Sequence, residues 1–132
     1  MTQATIDPSA LRLFEQLLGP KGFTTNPDDI APWLTDWRKR YHGASPALLA
    51  PANTAEVAAV VRIADEHHVP LVPQGGNTSM VGGATPPGDG SALILSLRRM
   101  NRIRSISAEA DQAVCEAGVI LSTLHDAAGQ VG

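Results

Sequence analysis

The sequence predicts a mixed α/β fold, and three observations lead there. An amphipathic run over residues 54–67 lies between two short apolar segments, 47–50 and 69–72, the pattern of a β-α-β unit. Three more short segments, 92–97, 102–106 and 112–116, read as strands. Between the two groups the chain reads PQGGNTSMVGG, residues 73–83, with two glycine pairs within nine residues directly after a strand.

The elements follow in order. Asp7 suits an N-cap and Pro8 the first helical position. Leu11, Phe14, Leu17 and Leu18 then share one face, and Gly19-Pro20 stops the helix. Residues 20–46 hold both tryptophans, Trp33 and Trp37, and the only tyrosine, Tyr41, the latter two in TDWRKRYHG, and read as an irregular arm with a short helical turn after Asp28. Pro51 ends the first strand. Asn53 or Thr54 caps the next helix, whose apolar face is Val57, Ala58, Val60, Val61 and Ala64. Glu56 in its first turn and His67-His68 at its end suit the helix dipole. After the glycine segment, ATPPGDGSA is a turn-rich loop. Leu93, Ile94 and Leu95 form the heart of the next strand, and 102–106 alternates polar and apolar as a half-buried strand does. Residues 119–128 read as a final helix with Leu121, Leu124 and Ala128 on one face and Ser122 or Thr123 assisting its start. Gln130-Val131-Gly132 reads as a loop leading to another strand.

At 132 residues the chain fits one domain. Its 43% apolar and 17% charged residues are those of an ordinary globular protein, with disorder expected at most in the first few residues. The formal net charge is −3 and the ten Lys and Arg are scattered, which argues against a nucleic-acid groove. A lone cysteine excludes an internal disulfide and points to a reducing, cytoplasmic setting. No run approaches the roughly 20 apolar residues of a membrane helix, and MTQATIDPS lacks the features of a signal peptide.

The glycine segment carries the chemistry. Backbone N–H groups free of side chains form a concave nest for an anion, and Asn77, Thr78 and Ser79 add side-chain donors. The natural guest is a phosphate or pyrophosphate. The absence of Gly-Lys-Ser/Thr separates the segment from a Walker loop. Pro86, Pro87 and Gly88, standing where a helix should begin, separate it from a Rossmann fingerprint. A ligand-free loop of left-handed glycines fits the glycines alone equally well.

Set in its surroundings, PQGGNTSMVGG, followed by LILSLRRMNRI and AVCEAGVIL, resembles the FAD-binding domain of the vanillyl-alcohol oxidase superfamily, the PCMH type. Its FAD-linked 2-hydroxy acid dehydrogenases, those acting on D-2-hydroxyglutarate, D-lactate or glycolate, are the most similar branch. LTDWRKRYHGASPALLAPANTAEVAAVVRIADEHHVP fits in register upstream, so the resemblance runs from Leu34 to the last residue. It implies a helix and irregular arm over 1–45 and a PCMH-type FAD-binding domain over 46–132, its first subdomain complete and its second truncated. It also implies a cradle for the FAD pyrophosphate made by Gly75, Gly76, Asn77 and Thr78, with Gln74 at its entrance and Ser79 at its far end. Gly82 and Gly83 would let the chain pass close to the flavin side. The segment 115–119 would lead back towards the cofactor. Relatives with covalent FAD often carry histidine where this chain has Asn77, so noncovalent FAD is implied. Ser79 and Ala50 depart from the glycine and arginine that many relatives have there.

The resemblance further implies an enzyme several times longer that oxidises a small 2-hydroxy acid to the 2-oxo acid and passes electrons to a carrier protein or quinone. Its substrate and metal residues would lie beyond position 132, and a homodimer is left open. No catalytic residue and no metal ligand is expected in these 132 residues, which alone would be inactive. The competing expectation is a non-catalytic FAD-binding or structural module that exposes apolar surface and self-associates.

The remaining reactive residues have plainer readings. Adjacent His67 and His68 point about 100° apart on a helix and suit a solvated helix end better than one shared ion. His42 and His125 have no acidic or cysteine partner at ligand spacing. Cys115, amid Ala113, Val114 and Ala117, reads as a small buried hydrophobe. Arg98, Arg99, Arg102 and Arg104 read as a solvated face.

Overall fold

The computed structural model describes residues 5–132, so the expectation for the first few residues falls largely outside it. Helix α1 spans Pro8–Gly22, with the Asp7 carboxylate accepting from Ser9 N at its start. Ala10, Phe14 and Leu18 are its buried face. The helix breaks at Gly19 (φ 64°), where a stop was expected, but Pro20 opens one more turn that reaches Gly22. The arm then contributes a two-residue strand β1 (Phe23–Thr24), a short helix α2 (Pro27–Ile30) capped by Asn26, and a single 3-10 turn.

Strand β2 (Leu48–Leu49) leads to helix α3 (Thr54–Glu66), which Asn53 rather than Thr54 caps by accepting from Glu56 N. Glu56 reaches back to Ala52 N over 2.7 Å, so both ends of the first turn are satisfied. At the far end His68 is left-handed (φ 52°), its N–H bonds to Asp65 O, and Val69 N bonds to Ala64 O. This is a Schellman ending. It consumes the Val69 donor, and Pro70 has none, so strand β3 runs over Leu71–Gln74, two residues later than the apolar pattern suggested.

Strands β1, β2, β4 (Leu93–Ser96) and β3 lie in that order in one sheet. β2 and β3 both run parallel to β4, and β1 is antiparallel at the edge. The expected β-α-β unit is therefore split: β4 occupies the place between its two strands. Ala92 and all four β4 residues are buried, as befits a central strand covered on both faces. Leu49, Leu93 and Leu95 pack with Phe14, Leu18 and Val60 of the helices. Leu48, Ala50 and Ile94 turn to the other face and meet Ile30, Trp33 and Leu34 of the arm. The sheet thus separates a helical layer from an arm layer.

Strands β5 (Ile103–Ser107) and β6 (Gln112–Cys115) form a separate antiparallel pair. Helix α4 (Leu121–Val131) packs beside β5. It starts two residues later than expected, without a side-chain cap, and Gln130 and Val131 continue it instead of forming a loop. Gly129 inside it costs about 1 kcal/mol against alanine and does not break it. No helix among the described residues is long and apolar enough to cross a membrane.

Candidate functional site: a glycine cradle latched to the arm

The glycine segment leaves the carboxyl end of β3, the side of a parallel sheet where ligands characteristically bind. Gln74 is the last residue of β3 and is only 1% exposed. It sits beneath the loop, not at its entrance as expected. Its Nε2 donates to Ala84 O (2.9 Å), to Trp33 O (3.0 Å) and to Asn77 Oδ1 (3.3 Å). One carboxamide therefore ties together the strand, both limbs of the loop and the arm. Asn77 takes the left-handed position of the turn (φ 56°), which asparagine tolerates better than most residues. Its Nδ2 donates to Thr35 O over 2.9 Å. The Asn77 side chain was expected to point a donor at the guest, but that donor faces the arm.

The arm folds into a hairpin over the loop. Thr35 and His42 form a bridge, and Thr35 Oγ1 lies 2.6 Å from His42 Nδ1. Within it the buried Asp36 accepts from the backbone N–H of Arg40 and Tyr41, both at 2.7 Å, and of Arg38 at 3.3 Å. These backbone donors, Tyr41 first, hold the Asp36 carboxyl below its usual range. The Tyr41 ring lies on Gly82, where a Cβ would come within 3.0 Å of it. Gly82 is also at φ 74°, so its bareness serves the arm rather than the expected flavin side. Gly83 donates to Ser79 Oγ at 3.1 Å, closing the second half of the loop.

Gly75 and Gly76 differ from Gly82. Neither has a positive φ, a Cβ on Gly75 would meet nothing within 4 Å, and one on Gly76 only Thr78 Cγ2 at 4.0 Å. Neither turn geometry nor packing within the described chain requires glycine there. A guest lying against the bare backbone would give a reason for it. Three side-chain atoms, Gln74 Oε1, Thr85 Oγ1 and Ser96 Oγ, are buried with no hydrogen-bond partner among the described residues. Gln74 and Ser96 are register partners on β3 and β4, so polar capacity remains under the loop. The donor set is neutral, with no Lys or Arg in residues 73–83 and two hydroxyls, Thr78 and Ser79, beside the bare amides. These features fit the pyrophosphate of a dinucleotide.

The other singled-out residues are structural. No group of three or more His, Cys, Asp or Glu among the described residues could hold a metal ion. His67 Nδ1 lies 3.3 Å from Asp7 Oδ2, joining the end of α3 to the start of α1. Cys115 is only partly buried, against expectation, because β6 is one strand of a thin two-stranded pair. The arginines are not merely solvated. Arg99 donates to Ala50 O at 2.8 Å, Arg98 lies over the Trp33 ring, and Arg102 and Arg104 converge on the buried Glu116. Sequence reasoning missed two glycines on which the site's frame depends. A Cβ on Gly43 would lie 2.0 Å from Pro86 O, and one on Gly118 1.9 Å from Leu97 O.

The chain is similar to several known proteins. The D-2-hydroxyglutarate dehydrogenase of Arabidopsis thaliana mitochondria is 36% identical over 121 residues, 92% of this chain and 21% of the relative. The mitochondrial enzyme of that name from Bos taurus is 40% identical over 105 residues, 80% of this chain and 19% of the relative. The chain thus spans about a fifth of the length of these curated relatives. A p-cresol methylhydroxylase with substrate bound superposes with a TM-score of 0.79 at 28% identity, covering 92% of this chain and 24% of that one. Residues 45–132 match the model of the FAD binding domain family, whose cofactor the bare amides of Gly75 and Gly76 suit, and the chain belongs to that family.

Proposed function

We propose that this chain is the FAD-binding part of a flavin-dependent dehydrogenase that oxidises a small 2-hydroxy acid, of the D-2-hydroxyglutarate, D-lactate or glycolate type, to the 2-oxo acid. The bare backbone at Gly75 and Gly76 is the observation that carries the cofactor part. The named relatives at 36% and 40% identity support the substrate class. FAD, when bound, supplies the two-electron acceptor. The chain's own residues bind and orient it. The N–H groups of Gly75 and Gly76 and the hydroxyls of Thr78 and Ser79 hold the pyrophosphate, while Gln74 and Asn77 hold the loop in shape. Met80 and Val81, exposed at the crest of the loop, offer apolar surface to a ring system. The carboxamide of Asn77 cannot form the histidyl link that relatives with covalent FAD make at this position, which supports noncovalent FAD.

The test is anaerobic titration of the full-length flavoprotein with D-2-hydroxyglutarate, D-lactate and glycolate. Bleaching of the flavin band by one of them supports the proposal. A bound flavin that none of the three reduces would overturn the substrate class. Flavin released by mild denaturation supports noncovalent binding, and flavin that stays with the denatured chain would refute it.

A further inference from the structure

Trp37 to His42 are six consecutive exposed residues, and three of them, Arg38, Lys39 and Arg40, are cations. Among the described residues none of the three has an ion-pair partner: the pairs are His67 with Asp7, and Arg102 and Arg104 with Glu116. The one carboxylate in the hairpin, Asp36, spends its oxygens on backbone N–H groups. The Arg38 guanidinium lies 5.2 Å from the Trp37 ring centroid. Three of the ten Lys and Arg thus stand together on one hairpin of a chain whose formal net charge is −3.

A cationic turn is ordinarily no more than solvated surface. This one is fastened to the glycine cradle at two points, the Asn77 to Thr35 bond and the Tyr41 ring on Gly82. Arg40 is one Cα step, about 3.8 Å, from the residue whose ring touches the loop. Charge carried on a hairpin latched to the loop in this way acts on a guest through the Debye length, about 8 Å at physiological salt. The cradle, for its part, has donors for an anion but no cation in residues 73–83. The two features complement each other: a neutral nest for a doubly charged group, and unneutralised charge on the hairpin latched to it.

We propose that Arg38, Lys39 and Arg40 are the counter-charge of the glycine cradle, drawing a pyrophosphate-bearing guest into the loop and raising its association rate. The inference rests on the FAD reading above. Attraction of this kind acts on the rate of encounter and weakens with salt.

The experiment is stopped-flow association of FAD with the full-length apoprotein at low and high ionic strength. In Arg38→Gln/Lys39→Gln/Arg40→Gln the rate should fall about tenfold at low salt and converge with wild type near 1 M salt, while the dissociation rate stays unchanged. Lys39→Gly guards against misfolding. Lys39 sits at φ 58°, where glycine is favoured, so the variant removes one charge and relieves the backbone. Its rate should fall about two- to threefold, a fraction of the triple variant's loss. Arg12→Gln/Arg62→Gln, on exposed positions of α1 and α3 across the sheet, should leave the rate alone. Equal rates in wild type and both hairpin variants at low salt would overturn the counter-charge role and leave the FAD reading standing. A loss as large in the α1/α3 control would overturn it too, by showing an effect of net charge alone. A full-length apoprotein that takes up no FAD would overturn the FAD reading and this inference with it.

Discussion

The Asn77 carboxamide bonds the glycine loop to the arm through Thr35 O, across 42 positions of sequence and a distance of 2.9 Å. The residue at the left-handed corner of the cradle is thus also its latch. Asn77→Gly keeps the backbone conformation and loses both the bond to Thr35 O and the one accepted from Gln74 Nε2, and should lower stability by about 1–3 kcal/mol. Asn77→Asp puts a carboxylate against the Thr35 carbonyl and beside the phosphates. It should weaken FAD binding by about tenfold or more, near 1.4 kcal/mol. Thermal unfolding and flavin titration of the full-length apoprotein read the two effects. An Asp variant with wild-type affinity would remove Asn77 from the site.

Two glycines of the same loop should separate cofactor binding from folding. Gly82→Ala meets the Tyr41 ring and carries a side chain at φ 74°, so it should cost about 1–3 kcal/mol of stability. Gly75→Ala meets nothing and has an ordinary φ, so unfolding should move by no more than about 0.5 kcal/mol. Its FAD affinity should fall at least about tenfold if, as proposed, the phosphates lie against the face that the methyl group would occupy. A Gly75→Ala protein that binds FAD normally would show that the cradle lies elsewhere.

How far the sequence could be read follows from the range of each interaction. Helices α1 and α3 were legible because their caps, Asp7 and Asn53, and their apolar faces are local patterns. The glycine loop was legible as a turn with bare backbone for the same reason. Strand β1 has two residues, too few to show a period. The two-residue shift of β3 came from a left-handed His68, a conformation that composition does not announce. The bond from Gln74 to Trp33 spans 41 positions, so Gln74 looked like the mouth of the cradle when it is its floor. The two glycines that brace the frame, Gly43 and Gly118, sit singly in sequence and are marked only by the carbonyls that the fold brings against them.

Those braces make a third prediction. Gly118 donates to Met100 O at 2.8 Å, and a Cβ there would lie 1.9 Å from Leu97 O and 2.8 Å from Met100 O. Backbone on both sides cannot step aside as a side chain could. Gly118→Ala should therefore cost more than about 3 kcal/mol, in the range of severe overpacking. Gly43→Ala, against Pro86 O, should do the same on the arm side. Gly129→Ala, in open space on α4, is the control and should stabilise by about 0.5–1 kcal/mol. Denaturant unfolding midpoints of the three variants decide it, and a tolerated Gly118→Ala would mean that the β6–α4 connection yields.

Acid should loosen the arm and the β5–β6 pair by separate titrations. Asp36 is held below its ordinary value of 3.8, chiefly by the backbone N–H of Tyr41. Glu116 is held below 4.5, chiefly by the backbone N–H of Arg102 at 3.0 Å, with the Arg102 and Arg104 guanidinium groups adding to it. For both, the unfolded chain binds more protons than the folded one as pH falls past the unfolded value. The stability each contributes is complete above that value and is lost as pH drops through the lower, folded one. Both tryptophans lie in the arm, so their fluorescence reports the segment that Asp36 braces. Hydrogen exchange at the Arg102 amide reports Glu116. Asp36→Asn keeps an oxygen for Arg40 and Tyr41, and should flatten the acid limb of the fluorescence curve while leaving the exchange limb in place. Glu116→Gln should do the reverse. If either variant flattened both limbs, the arm and the hairpin would unfold as one unit, and the two carboxylates would be bracing a single cooperative structure.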